Sequence, residues 1–432
     1  MNDKMNELVQ FSPVAGKLVL ENVSGETSKK VEHENDVHAA NGADRTMYVY
    51  APTSGCPDAK QCQVLMVLRD EDSEQSAAQL LDQLGLQKLS EEEHFPILFP
   101  NPLKTGWNYG EKMCYDNDRD FLGRCFGTLR GSSVGVNGFN GMIYYIAATP
   151  GASALLMSMA AHRPIAVPAM MIGAFPEDYR IPADASGVET AAWVCGNAQA
   201  ETYLKKSNGV TTEETFEDAV VFYGKNPNCR LITSGQELSC HTVELAWDRL
   251  FSLSRRWQND TNGTYQKRTF FTNRGFTAHV KDASLGCNDG FAHTWYEYIP
   301  PQLRGTEEKV PLVFYFHGVN CVPLYGAEQS GWQDVADREN VIVVFPAPAR
   351  NKAWNIGNNP AMPSDFAFVL ALIEHMKQVH PIDETRIYST GFSMGAMMTH
   401  AITAVYPEIF AGAAPCNAFD FAYFKSPAEL PG

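Results

Sequence analysis

Gly391-Phe-Ser-Met-Gly395 sets a serine between glycines two residues to either side, the spacing G-x-S-x-G. Arg386–Thr390 before it reads as a strand, and Met394–Val405 after it reads as a helix. Between strand and helix this spacing predicts a turn so tight that the serine takes a strained backbone conformation and its neighbours two residues away must lack bulk. Such a turn lifts the Ser393 hydroxyl clear of the sheet and aims the Met394 N–H at a developing oxyanion. The chemistry is acyl transfer by a serine nucleophile. His317-Gly318-Val319-Asn320, at the end of another apolar run, is expected to supply the second oxyanion donor through the Val319 N–H, with His317 itself structural. A chance glycine-serine turn is the bland reading, and the strand-to-helix context argues against it.

A serine hydroxyl needs a base to be a good nucleophile at neutral pH. In this arrangement the chain order is serine, then acid, then histidine. His375 and His380 precede Ser393, and His400 lies in the helix that follows it, so none is placed as base. Both partners are expected after the last residue of the sequence, which reads as a truncated piece of a longer protein.

The elements that must hold this turn alternate. Thr294–Ile299, Val310–Phe316, Val341–Phe345 and Arg386–Thr390 read as strands. Gln333–Arg338, Ser364–Gln378 and Met394–Val405 read as helices, with Ser364 as N-cap, and Ile409–Ala414 approaches another strand. The pattern implies an α/β fold with a mostly parallel sheet flanked by helices.

The same landmarks occur earlier in the chain. Thr46-Met-Tyr-Val-Tyr-Ala-Pro52 resembles Thr294-Trp-Tyr-Glu-Tyr-Ile-Pro300, and Val64–Asp70 resembles Leu312–Gly318. Phe99-Pro-Asn-Pro102 matches Phe345-Pro-Ala-Pro348, Trp107-Asn108 matches Trp354-Asn355, and Asp120-Phe121 matches Asp365-Phe366. Ile143–Thr149 lies where Ile387–Ser393 lies. With offsets of only 244 to 248 residues, two tandem copies are expected: residues 1–257, and residues 258–432 holding the N-terminal portion of a catalytic domain. Polar Arg255–Arg268 reads as the linker, and the second copy should lack a counterpart of Val188–Trp257, two strands and a helix.

The first copy reads as catalytically dead. Thr149 takes the nucleophile's place, and Pro150 stands where Met394 does, with no N–H to donate. Arg69-Asp70 replaces His317-Gly318, and no aspartate follows the strand Val188–Cys195. His241, before an expected helix Val243–Arg256, is either the relic of a base or a capping residue.

Val310–Gly318, Ser330-Gly-Trp-Gln-Asp-Val-Ala-Asp337, His380–Met398 and Pro407–Pro415 resemble polyhydroxybutyrate depolymerase-type esterases, a group that includes feruloyl and acetylxylan esterases. The resemblance covers about Trp295–Pro415. It implies an α/β-hydrolase fold and ester hydrolysis through an acyl-enzyme on Ser393; with the repeat, the expectation is tandem α/β-hydrolase domains, the second cut short at its C-terminus. Met394 and Val319 are then the oxyanion donors. Ala396 departs from the group, which often has a second glycine there.

Composition limits the partners. The net charge of −16 would repel a phosphate backbone, so no nucleic-acid partner is expected. No run of about 18 apolar residues occurs, and Ala152–Phe175 is broken by His162 and Arg163, so no membrane segment is expected. Met1–Asn22 lacks a signal-peptide pattern, and ten cysteines without a C-x-x-C pair read mainly as free thiols. Together these favour a cytoplasmic location, with secretion as the alternative. No cofactor or metal is called for, and the oligomeric state is left open. The leading function is a serine esterase acting on a small-molecule or polymeric ester. The alternatives are a non-catalytic two-domain binding or scaffold protein, a site completed by His241, and peptidase activity on the same turn.

Overall fold

The computed structural model describes residues 14–25, 44–55, 62–109, 112–129, 138–257, 262–267, 276–285, 287, 292–319, 321, 323–349, 353–356 and 364–418. The chain divides into two compact units, Leu8–Arg268 and Thr269–Gly432, the latter grouped with the first seven residues.

In the first unit the strands are β1 (Leu18–Val23), β2 (Arg45–Tyr50), β3 (Cys62–Leu68), β4 (Ile97–Pro100), β5 (Gly138–Ala147), β6 (Ala169–Ile172), β7 (Ala191–Cys195), β8 (Thr212–Phe216), β9 (Ala219–Tyr223) and β10 (Arg230–Ser234). Its helices are α1 (Glu74–Gln83), α2 (Leu86–Glu93), α3 (Lys112–Thr128), α4 (Pro150–His162), α5 (Ala198–Ser207) and α6 (Cys240–Arg249). The ten strands form one sheet in the order β1-β2-β4-β3-β5-β6-β7-β10-β9-β8. Its centre is parallel, whereas β1, β2, β8 and β9 pair antiparallel. Beyond β6 the sheet itself gains four strands, accompanied among the described residues by α5 and α6, more than the two strands and one helix expected there.

The segment read as a linker holds a hairpin of β11 (Ser254–Trp257) and β12 (Thr264–Lys267). Its polarity misleads because Arg255 and Arg256 are fully buried. The Arg256 guanidinium donates to the Asn262 carbonyl and the Tyr265 hydroxyl. That hydroxyl in turn donates to Pro168 O at 2.7 Å and accepts from the Ala191 N–H at 2.8 Å, which fastens the hairpin at the start of β6 and β7. The expected helix Val243–Arg256 is likewise shorter: α6 stops at Arg249, and the chain re-enters as β11.

The second unit contains β13 (Phe276–Asp282), β14 (His293–Tyr298), β15 (Val310–Phe316), α7 (Pro323–Ser330), α8 (Trp332–Glu339), β16 (Ile342–Pro346), α9 (Asp365–Val379), β17 (Ile382–Phe392), α10 (Met394–Val405) and β18 (Gly412–Cys416). Sheet order is β13-β14-β16-β15-β17-β18, with β13 and β14 antiparallel and the rest parallel. Both sheets are therefore mixed: the expected parallel pairing holds in the middle and gives way at one or both margins. Shifted by twelve strands, this is the order of β1 to β6.

Strand β15 explains why the sheet is covered on both sides. Leu312, Phe314 and Phe316 face one core with Phe366, Val369 and Leu372 of α9 and Met398 and Ile402 of α10. Val313 and Tyr315 face a second core with Ala327 of α7, Ala336 of α8 and Val343. Each large apolar side chain so buried contributes roughly 1.5–3 kcal/mol. Among the described residues no helix is long and apolar enough to cross a membrane, and seven cysteines are free thiols.

Candidate active site

Ser393 stands where β17 gives way to α10, with φ 54° and ψ −117°, the left-handed side of backbone space that an L side chain rarely takes. The two glycines are there for space. A Cβ on Gly395 would lie 1.9 Å from the Phe316 carbonyl oxygen, and one on Gly391 would lie 2.5 Å from the Gly395 oxygen and 2.6 Å from that of Phe316. The turn is thus pressed against the end of β15. Main-chain bonds hold it: the Ser393 N–H donates to Cys416 O at 3.0 Å, and the Ser393 carbonyl accepts from Ala396 and Met397. The serine is half-buried, and its hydroxyl has no hydrogen bond among the described residues. Met394 opens α10, where the first amides of a helix lack intrahelical partners.

The loop after β15 runs beside the serine. A Cβ on Gly318 would be 3.6 Å from the Ser393 Cβ, and Val319, next in line, is 46% exposed. His317 is buried, and its Nδ1 donates to the Gly318 carbonyl at 2.8 Å. A carbonyl can only accept, so the proton sits on Nδ1, and Nε2 is left without a partner among the described residues. Burial pushes His317 down to about 4, so the ring is neutral at pH 7. His400 is half-buried on α10, and His375 lies against Trp295.

No family model matches the chain. It is 33% identical over 141 residues to poly(3-hydroxyalkanoate) depolymerase C of Paucimonas lemoignei, a match covering 31% of this chain and 33% of that protein. It is 29% identical over 125 residues to feruloyl esterase B of Thermothelomyces thermophilus, covering 27% and 40% respectively. The chain resembles esterases of the α/β-hydrolase kind. A solved acetyl xylan esterase from Aspergillus awamori aligns with a TM-score of 0.29 at 21% identity, over 37% of this chain and 57% of that one. This esterase-like chain spans about a third to two fifths of the length of the two curated relatives.

In the first unit of the esterase-like chain the corresponding turn is relaxed. Thr149 has φ −139° and ψ 160°, ordinary extended backbone, and acts as a helix N-cap by accepting from the Ala152 N–H. Its hydroxyl donates to the Asp70 carboxylate at 2.8 Å. Pro150 is the first helical residue, a place that suits proline but leaves no N–H. A Cβ on Gly151 would meet nothing closer than 3.5 Å. Thr149 thus sits on an open turn. His241 is exposed in the first turn of α6, 3.6 Å from Glu217.

Two features escaped the sequence. The first is a buried carboxylate behind each loop. Asp365 accepts the Ala349 N–H at 2.9 Å and the Asn355 N–H at 2.6 Å, and the Trp354 indole donates to His317 O at 2.8 Å. In the first unit Asp118 accepts the Asn108 N–H, and the Trp107 indole donates to Arg69 O at 2.9 Å. By these bonds Asp118 and Phe121 compare with Asp365 and Phe368, whereas the sequence alone pairs Asp120-Phe121 with Asp365-Phe366. An arginine on Phe121 and a histidine stacked on Phe368 complete the likeness: Arg45 lies 3.6 Å from its ring and His293 lies 4.0 Å from its own.

The second feature is an ion cluster on β13 and β14. Glu297 is 3% exposed, with His279 Nε2 at 3.0 Å, His380 Nε2 at 3.4 Å and the Trp295 indole donating at 2.9 Å. Burial opposes its charge, but these neighbours outweigh it and hold the carboxyl well below the usual range. Burial likewise disfavours charge on His279, and the Glu297 carboxylate overcomes it, so its pKa is raised. His380 is thus engaged with Glu297.

Proposed function

We propose that the second unit is the nucleophile-bearing part of a serine esterase that forms an acyl-enzyme on Ser393. The amides of Met394 and Val319 serve as its oxyanion donors, and Gly391 and Gly395 make room for the turn. The observation that carries this reading is the backbone of Ser393, held at φ 54° between two positions that admit no side chain. Strain of that kind costs about 1–3 kcal/mol and persists only when the surroundings enforce it. The substrate is a carboxylic ester, small or polymeric, by likeness to relatives named for poly(3-hydroxyalkanoate) and feruloyl esters.

The first unit is proposed to be a degenerate, non-catalytic copy of the second. Shared strand order and the matched tryptophan–carbonyl and aspartate–amide bonds support the duplication. Thr149 capped by Asp70 and Pro150 without an N–H support the loss of chemistry.

A fluorophosphonate probe tests the main reading. It should label the full-length protein at Ser393, with labelling lost in Ser393→Ala; a full-length protein that stays unlabelled while folded would rule it out. One observation favours the non-catalytic alternative: no described histidine hydrogen-bonds the Ser393 hydroxyl. Absence of p-nitrophenyl acetate turnover together with absence of labelling would support that alternative.

A further inference from the structure

The loop beside Ser393 is held through two of its carbonyl oxygens. The His317 carbonyl takes the Trp354 indole N–H at 2.8 Å, and the Gly318 carbonyl takes His317 Nδ1 at 2.8 Å and the Cys321 N–H at 3.2 Å. A trans peptide points its C=O and its N–H in opposite directions. Fixing the carbonyl of 317 therefore fixes the N–H of Gly318, and fixing the carbonyl of 318 fixes the N–H of Val319. Three donors thus set where two amides point.

Behind the first donor stands a buried carboxylate. Trp354 is 1% exposed, with its ring edge-on to Phe316 at 5.1 Å. The amide of its neighbour Asn355 and that of Ala349 are both bound by Asp365, itself 1% exposed at the start of α9. An ionised acceptor of two N–H groups makes strong bonds, and at a helix N-terminus it is further favoured by the dipole. We propose that Asp365 and Trp354 are positioning residues for the oxyanion loop, acting through the carbonyl of His317 on the amides of Gly318 and Val319. The proposal rests on the esterase reading of Ser393.

A purely architectural role is the rival, because Trp107 makes the same bond to Arg69 O in the first unit. The two loops differ in the second lock. Arg69 sends its guanidinium away to Ser76, Pro100 and Asn101, whereas His317 turns back on the carbonyl of its own neighbour. Only in the second unit does the relay continue to the next peptide among the described residues.

Trp354→Phe removes the indole N–H and keeps an aromatic ring, and Asp365→Asn puts a donor against one of the two amides. In the full chain, at a temperature where every variant is folded, both should slow fluorophosphonate labelling of Ser393 at least tenfold. This is the scale of losing oxyanion contact, which runs to about 10²–10³-fold for a deleted donor. Val343→Ala, in the core on the opposite face of the sheet, should cost stability and leave the rate alone. Equal rates for wild type and Trp354→Phe, or an equal slowing in Val343→Ala, would overturn the proposal. Amide hydrogen exchange supplies an independent measure. A peptide covering 317–321 should exchange faster in Trp354→Phe and Asp365→Asn than in wild type or Val343→Ala, and unchanged exchange overturns the positioning role even if labelling slows. An unlabelled wild type with faster exchange in both variants rejects the esterase reading and upholds the positioning of the loop.

Discussion

Gly395 and Gly151 occupy matching places near the start of α10 and α4, and the same substitution is expected to act on them with opposite sign. In a helix, alanine is better than glycine by up to about 1 kcal/mol. At Gly151 nothing opposes this gain, since the nearest atom to a new Cβ is 3.5 Å away. Gly151→Ala should therefore stabilise by roughly 0.5–1 kcal/mol. At Gly395 the new carbon would lie 1.9 Å from Phe316 O and 2.4 Å from Phe316 C, both backbone atoms that cannot rotate aside. Relief requires α10 or β15 to move by more than an ångström, and overpacking of this kind costs about 1–3 kcal/mol or more. The helix gain does not offset it, so Gly395→Ala should destabilise by about 2 kcal/mol and slow labelling of Ser393. Urea unfolding of the full chain measures both, reading for each variant the transition that it shifts, because two units need not unfold together. A Gly395→Ala chain as stable as wild type would show that the turn is not pressed on β15, and the argument for a strained serine would go with it.

Ser393→Gly should abolish labelling while raising stability by about 1 kcal/mol, because glycine takes φ 54° without strain; a destabilised variant would count against a strained turn. Thr149→Ser should create no labelling at that site, since Pro150 still offers no N–H and the backbone is extended; any probe attached there, located by peptide mass, contradicts the degenerate reading. The Glu297 cluster predicts a pH window. The carboxylate's depressed pKa adds stability above its ordinary value of 4.5, lost as pH falls below it, and the raised pKa of His279 adds stability below 6.5, lost as pH rises through its folded value. Glu297→Gln should thus cost most between these limits, about 3 kcal/mol for a broken buried pair, and a cost that does not vary from pH 4 to 9 would refute the pairing.

The elements nearest the site were the ones best read from sequence. Val310–Phe316 and Met394–Val405 have the expected limits, because a doubly covered strand is apolar throughout and a helix opening on a motif has a fixed start. Strand β13 went unread: Phe276–Asp282 mixes His279 and Asp282 with apolar residues, and His279 is answered by Glu297 of β14, a pairing that sequence spacing does not show. The hairpin went unread for a related reason, as two arginines advertise solvent and yet are buried, Arg256 against the Asn262 carbonyl and the Tyr265 hydroxyl. Ser393 was legible because glycines are demanded by backbone contact, which leaves a trace in residue type. Asp365 and Trp354 left only a repeated pair, since any fold can use an aspartate to bind amides, and what they bind appears only when β15 and α9 are side by side.

That hairpin bears on anyone wishing to divide the gene. A cut after Trp257, where the polar composition invites it, would carry off Tyr265 and expose the seat from which its phenol bridges Pro168 and Ala191. The leading half would then be missing a peg from its own joinery, and its insolubility could be mistaken for dependence on the trailing half. Placing the scissors beyond Arg268 keeps the peg with the wood it fits.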